Sequence, residues 1–118
     1  MEERLIEFCQ RDHVSFVELK ENFPELFGGE IAICLPNYPN LIVWQGFTKE
    51  GADLILRLVN EKKLFLLPSS PLIYAIDGAL IKMPLARGIR NYKNPHWIPM
   101  VLCIHPPEFY KKKRGKKN

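Results

Sequence analysis

The sequence predicts an α+β fold in a single domain. Apolar residues recur first at helical spacing and later in short β-rich runs, and turn-forming residues separate these runs. A chain of 118 residues, 47% of them hydrophobic, suffices for one compact core. We therefore expect one domain over residues 1–110 and a disordered basic tail over residues 111–118.

Two short helices are predicted at the start of the chain. From Glu2 to Arg11, apolar residues lie on one side of a helical projection and charges on the other. Ser15 and Glu18 then have the spacing of a capping box, in which the serine accepts from a free backbone N–H and the glutamate reaches back. The second helix should run from Phe16 to about Phe23.

A hairpin and a third helix are expected next. Two β-rich runs, Ile31–Leu35 and Leu41–Gln45, flank five turn-forming residues, which is typical of a β-hairpin. Thr48 then offers an N-cap, and apolar residues recur at helical spacing through Glu61.

The remaining elements are predicted as short strands. Three apolar runs follow the third helix, namely Leu64–Pro68, Leu72–Ile76 and Ala79–Met83. Asp77-Gly78 separates the last two runs and favours a type I′ turn, so these runs should form a second hairpin. Residues 84–95 look irregular, and Trp97–Ile104 is predicted as the last strand.

This order of elements resembles a winged helix-turn-helix domain with an extra β-hairpin and a C-terminal strand. The resemblance covers about Glu2–Pro84. A likeness to small winged-helix proteins of mobile elements and phages of Gram-positive bacteria rests on Leu41–Trp44, Thr48–Lys63, Leu72–Gly78, Leu80–Pro84 and His96–Pro99. The chain is similar in type to the single-stranded-DNA-binding protein of staphylococcal cassette chromosome elements. The resemblance implies DNA binding in replication or maintenance of a mobile genetic element.

The charges of the chain are sorted along its length. Residues 1–78 hold seven Lys/Arg against twelve Asp/Glu, a net charge of −5, whereas residues 79–118 hold ten against one, a net charge of +9. Aromatic residues are interleaved with the late positive charges. This composition suits a polyanion with exposed base faces and predicts binding of single-stranded nucleic acid, DNA in particular.

The candidate nucleic-acid-binding residues are the basic and aromatic side chains of the second half. They are Lys82, Arg87, Arg90, Tyr92, Lys93, Trp97, Lys111, Lys112, Lys113 and Arg114. The cations would meet phosphates, and Tyr92 or Trp97 would stack on a base. In the alternative interpretation, Trp97 is buried in the core and the basic residues only keep an exposed loop and a solvated tail soluble.

The third helix argues against reading of duplex DNA through the major groove. Its outer face carries Lys49, Glu50, Asp53, Arg57, Asn60 and Glu61, with three acids against two bases. Asp53 and Arg57 stand four apart, a spacing at which we expect an ion pair. An alternative function is therefore a protein-interaction module that docks a replication or regulatory protein, such as a polymerase or helicase. DNA mimicry by the acidic half is a weaker alternative.

Catalytic, metal and cofactor motifs are absent from the sequence. It has neither GxGxxG nor a GK[ST] ending after Gly28-Gly29, so we expect no enzyme activity and no cofactor. Cys103 and His105 could bind zinc together with Cys34, but CxxC and HxxxH spacings are missing, and we expect no metal.

The expected location is the cytoplasm. No apolar run approaches the roughly 20 residues that a membrane-spanning helix needs. The charged N-terminus lacks the apolar segment of a signal peptide. Three cysteines far apart in apolar surroundings indicate buried free thiols.

Overall fold

The computed structural model of the protein describes residues 1–78 and 81–115, without the side chains of Asp77 and of residues 112–115. The fold is mixed α+β. The helices are α1 (Glu2–Phe8), α2 (Phe16–Asn22), α3 (Lys49–Asn60), α4 (Pro71–Asp77) and α5 (Pro107–Gly115). The strands are β1 (Phe27–Leu35), β2 (Tyr38–Phe47), β3 (Phe65–Pro68), β4 (His96–Trp97) and β5 (Met100–Cys103). Short 3₁₀ turns at Cys9–Arg11 and Pro24–Leu26 follow α1 and α2.

The strands form two small sheets. In the first, β2 lies between β1, to which it is antiparallel, and β4, to which it is parallel. In the second, β3 pairs with β5 in antiparallel register, with Phe65 opposite Cys103 and Pro68 opposite Met100. One strand of each sheet, β4 in the first and β5 in the second, therefore comes from the same stretch near the end of the chain.

The two N-terminal helices are confirmed, including the capping box. The Ser15 hydroxyl accepts from the Glu18 N–H at 3.1 Å, and the Glu18 carboxylate accepts from the Ser15 N–H at 3.3 Å. Two of the free N–H groups at the start of the helix, those of Ser15 and Glu18, are thus satisfied, which explains why α2 begins at Phe16.

The first hairpin and the third helix are also confirmed. The hairpin has longer strands and a tighter turn than expected, since Leu35 pairs with Tyr38 and Asn37 takes a positive φ of 68°. The hydroxyl of Thr48 accepts from the Gly51 N–H at 2.9 Å and caps α3.

The expected second hairpin is wrong, because its first strand is a helix. The Ser70 hydroxyl caps α4 by accepting from the Leu72 N–H at 3.1 Å, and Pro71 occupies the first turn. Gly78 ends the helix in the left-handed conformation, at φ 98°. Residues predicted to form turns therefore cap a helix. Of the other predicted strand, Ala79 and Leu80 lie outside the described residues, and 81–83 form no strand.

The predicted strand Trp97–Ile104 is divided between the two sheets. The division falls at Pro99, which has no N–H to donate to a ladder. Before it, the Ile98 N–H still donates to Ile42 at 2.9 Å, and after it, the chain pairs with β3. The proline therefore moves one continuous apolar run from one sheet to the other.

An aromatic cluster holds these elements together. Trp44 of β2 stacks on Tyr74 of α4 with ring centroids 4.9 Å apart, and Trp97 of β4 meets Tyr74 edge-on at 5.3 Å. The Tyr74 hydroxyl donates to the Met100 carbonyl at 2.5 Å and accepts from the Phe16 N–H at 3.3 Å. This fully buried tyrosine joins α2, α4 and β5.

Substituting Gly51 by alanine should destabilise the protein, although alanine is the better helix former by about 1 kcal/mol. Helix α3 packs so closely on Leu26 that a β-carbon at Gly51 would overlap the backbone of that residue. We expect Gly51→Ala to lower the free energy of unfolding by about 1–3 kcal/mol, as overpacking does. Urea denaturation of this variant beside Glu50→Ala, an exposed neighbour, measures the effect; equal or higher stability of Gly51→Ala would contradict the close packing.

The C-terminal helix extends beyond the expected end of fixed structure. Helix α5 runs to Gly115, so residues 111–115 are helical in the structure, where a disordered tail was predicted from residue 111. Lys116, Lys117 and Asn118 lie outside the described residues. Within the described part of the chain, no helix is long and apolar enough to span a bilayer.

Candidate functional site

The basic segment of residues 82–97 is irregular, as predicted, but it is tied firmly to the core. The Ala86 N–H donates to the Trp97 carbonyl, and the Trp97 N–H donates to the Pro84 carbonyl, both at 2.8 Å. Asn40 of β2 donates from its side chain to the Tyr92 carbonyl at 2.8 Å. The segment leaves the sheet and returns to it with both of its ends held by hydrogen bonds.

Tyr92 organises the tip of this segment. Its hydroxyl accepts from the Arg87 N–H at 2.9 Å and donates to the Gly88 carbonyl at 3.2 Å. Its ring stacks on His96 at 3.9 Å, and the Arg90 guanidinium lies 5.7 Å from the ring centroid. The ring of Tyr92 thus contacts two neighbours, and its hydroxyl links the Arg87 N–H to the Gly88 carbonyl.

Two arginines and a histidine surround a shallow cavity of about 430 Å³ at this tip. Its lining comprises Pro84, Leu85, Arg87, Arg90, Tyr92 and His96. The Arg90 guanidinium donates to the Arg87 carbonyl at 3.0 Å, which holds the two arginine residues side by side. An apolar cavity of about 310 Å³ shares Leu85 and extends to Ile89.

Among the described residues, the basic side chains of this segment form no ion pairs, unlike most basic side chains of the first half. In the described residues, five of the seven Lys/Arg before residue 79 form ion pairs with carboxylates, for example Lys63 with Glu2 at 3.0 Å. Across the same described residues, none of the four basic residues at 82–93 does. All four are exposed. The segment can therefore meet an external anion without first breaking an internal ion pair.

Trp97 does not lie in the exposed site. Its side chain is 3% exposed and packs on Trp44 and Tyr74, so the prediction that it stacks on a base is wrong, and the alternative core interpretation holds. The alternation of β4 turns this ring inwards while His96 remains half-buried at the cavity. Its indole N–H lacks a hydrogen-bond partner among the described residues.

The other candidate residues are dispersed. Lys82 lines a different cavity of about 570 Å³, together with Lys20, Glu21 and Trp44. Lys93 is exposed on the loop, and Lys111 is exposed on α5. Lys112, Lys113 and Arg114 belong to α5, but their side chains are outside the described parts. The structure thus brings Arg87, Arg90 and Tyr92 together and places Lys82 apart.

The outer face of α3 is neutralised by its own neighbours. The expected ion pair between Asp53 and Arg57 is wrong. The Lys49 ammonium instead pairs with the Asp53 carboxylate at 3.1 Å, and the Arg57 guanidinium lies 2.7 Å from the Glu2 carboxylate of α1. Hydrogen bonds from Lys63 and Arg57 lower the pKa of Glu2. Sequence spacing could not reveal the contact with α1, because it depends on how the two helices pack.

A cluster that the sequence did not indicate lies where the first 3₁₀ turn meets β5. Tyr110 of α5 donates to the Asp12 carboxylate at 2.5 Å, and Ile104 donates to it from its N–H at 3.2 Å. Burial acts to raise the pKa of Asp12, but these hydrogen bonds outweigh it and lower the pKa. Burial raises the pKa of the neighbouring Cys103 thiol to about 11. The contributing residues are nearly a hundred positions apart, so no local motif announced them.

Cys34, Cys103 and His105, considered and rejected from the sequence as a zinc site, form no group of potential ligands among the described residues. His105 stacks on Phe109 at 3.9 Å, and among the described residues the potential metal ligands nearest Cys103 are Asp12 and His13. All three cysteines are free thiols.

Comparison with known proteins gives no match, whether the chain is set against protein-family models, curated proteins or solved structures.

Proposed function

We propose that the protein binds single-stranded nucleic acid, with DNA as the favoured ligand and little sequence preference. The observation that carries this proposal is the pair Arg87 and Arg90, which are adjacent, exposed and without an ion pair among the described residues. Guanidinium groups bind phosphate oxygens through several N–H donors at once.

A preference for single strands is supported by what lies beside the arginines. Leu85 and Ile89 are 46% and 58% exposed, and both border the cavities at the loop tip. Apolar side chains pack against base faces, which are accessible only when the bases are unstacked. In this proposal Leu85 and Ile89 replace Trp97 as the partners of the bases.

The fold supports a comparison with winged-helix proteins as a further part of the proposal. Two short helices, a hairpin and α3 occur in the expected order, and β3, which pairs with the later strand β5, follows α3 in the chain. In this proposal the β3–β5 ribbon takes the place of the wing. A role in replication or maintenance of a mobile genetic element rests on the sequence resemblance, whereas a cytoplasmic location and a polymerase or helicase partner are expectations from the composition of the chain.

Fluorescence anisotropy with labelled single-stranded and double-stranded oligonucleotides of mixed sequence tests the proposal. We expect single strands to bind more tightly, and log K to fall with log salt by about 0.7 for each phosphate neutralised. A full-length variant with Lys111, Lys112, Lys113 and Arg114 changed to glutamine separates the tail from the loop. An affinity that does not change with salt concentration, or equal affinity for single strands and duplexes, would contradict the proposal.

The interaction-module alternative is favoured by one observation on α4. Leu72 and Ile76 lie one turn apart and are 68% and 82% exposed, an unusual pair of apolar side chains for a helix face in water. If the double variant Leu72→Ser/Ile76→Ser loses binding to a replication or regulatory protein while its affinity for single strands is unchanged, protein docking would be favoured as the main role.

A further inference from the structure

Three potential metal ligands of different chemistry converge beside β5. The side chains of Asp12, His13 and Cys103 offer a carboxylate oxygen, an imidazole nitrogen and a sulfur, all within 4.8 Å of one another. His13 Nδ1 lies 3.5 Å from Asp12 Oδ2. The cluster is independent of the basic loop proposed to bind nucleic acid.

The fold holds the three residues in place through backbone contacts. Val14 and Leu102 exchange two hydrogen bonds at 2.9 Å each, which fixes the turn at residues 12–13 against β5 next to Cys103. Asp12 Oδ1 accepts from the N–H groups of His13 and Ile104, at 3.1 and 3.2 Å. The carboxylate is therefore oriented before any ion arrives.

We propose that Asp12, His13 and Cys103 bind a divalent transition-metal ion, with Zn²⁺ as the ion that this ligand set fits. Zn²⁺ accepts nitrogen, sulfur and carboxylate oxygen together, whereas Mg²⁺ and Ca²⁺ require oxygen ligands. Tetrahedral Zn²⁺ with bond lengths of about 2.0–2.3 Å places its ligand atoms roughly 3.3–3.8 Å apart, so small side-chain rotations close the site. A water molecule completes four-coordination, and Tyr110 keeps its hydrogen bond to Asp12.

Access and burial are both suited to a bound ion. The His13 side chain is 52% exposed, so an ion can reach the site from that side. Cys103 is fully buried, so its sulfur is shielded from solvent. Binding replaces the S–H bond of Cys103 with an S–Zn bond and releases the proton to solvent, without any change of oxidation state. The ion would link the turn at residues 12–13 to β5, beside the Tyr110 contact that attaches α5.

Titration of the metal-free full-length protein with Co²⁺ tests the proposal. A thiolate ligand gives cobalt a charge-transfer absorption in the near ultraviolet, and we expect it to saturate at one ion per chain and to disappear when Zn²⁺ is added. Cys103→Ser and His13→Ala should each weaken Co²⁺ binding at least about 10-fold. Circular dichroism tests whether each variant is folded. If Cys103→Ser does not fold, His13→Ala alone carries the test, because it removes only a half-exposed side chain.

The chain supplies matched controls. Cys34→Ser and His105→Ala remove the same residue types outside the cluster and should leave the absorption unchanged. Absence of the charge-transfer band in the unmodified protein, its loss in Cys34→Ser, or its persistence in folded His13→Ala with unchanged affinity would each overturn the proposal. None of these results depends on nucleic-acid binding.

Discussion

Replacing Arg87 and Arg90 together by alanine is expected to produce the largest loss of nucleic-acid affinity. Both residues are exposed and lack internal ion pairs in the described chain, so their removal would withdraw the two proposed phosphate contacts without leaving any carboxylate unpaired. On single strands, the slope of log K against log salt should become shallower by about 1.4, and affinity at low salt should fall about 10- to 100-fold. Anisotropy titration at several salt concentrations measures both quantities.

Lys20 and Lys62 provide the matched control for this experiment. Both are exposed, and neither forms an ion pair within the described residues, but they lie in the acidic half of the chain. The double variant Lys20→Ala/Lys62→Ala removes the same charge and should keep most of the affinity and the full salt slope. If both double variants lose affinity equally, net charge and not the loop determines binding, and the assignment of Arg87 and Arg90 fails.

Replacing Trp97 by alanine is expected to produce the largest loss of stability. The ring is 3% exposed and packs against Trp44 and Tyr74 in the aromatic cluster. Truncation of such a side chain leaves a cavity and should lower the free energy of unfolding by about 3–5 kcal/mol. Chemical denaturation followed by circular dichroism gives the value without relying on the tryptophan signal that the substitution changes.

Two further variants separate core packing from base stacking. Trp97→Phe keeps an apolar ring and removes the indole N–H that has no partner among the described residues, so it should cost less than Trp97→Ala and leave single-strand affinity unchanged. Ile76→Ala, at an exposed position, should change stability by no more than about 0.5 kcal/mol. A stable Trp97→Phe that loses affinity for single strands would restore the stacking role.

Much of the candidate site was predictable from composition. The sequence showed that residues 82–93 hold four basic residues and no acid, and the glycine and prolines around them predicted an irregular, exposed segment. The role of Tyr92 was not predictable, because its hydroxyl bonds Arg87 and Gly88 only in the folded loop. Residue type likewise did not decide between burial and exposure for Trp97, since an aromatic residue serves either purpose and the neighbouring β2 and α4 decide which.

The sequence by itself determined the elements whose signals are local. Ser15 with Glu18 and Thr48 with Gly51 act within one helical turn, so the starts of α2 and α3 follow from nearest neighbours. Tertiary structure decided the elements whose signals conflict. The run Leu72–Ile76 suits a strand or a helix, and the burial of Tyr74 against Trp44 and Met100 accompanies the helical choice. Asp12 and Cys103 likewise come together only when Val14 forms its bridge to Leu102 of β5, because contacts between residues so far apart in the chain are stabilised by packing that no short window of sequence contains.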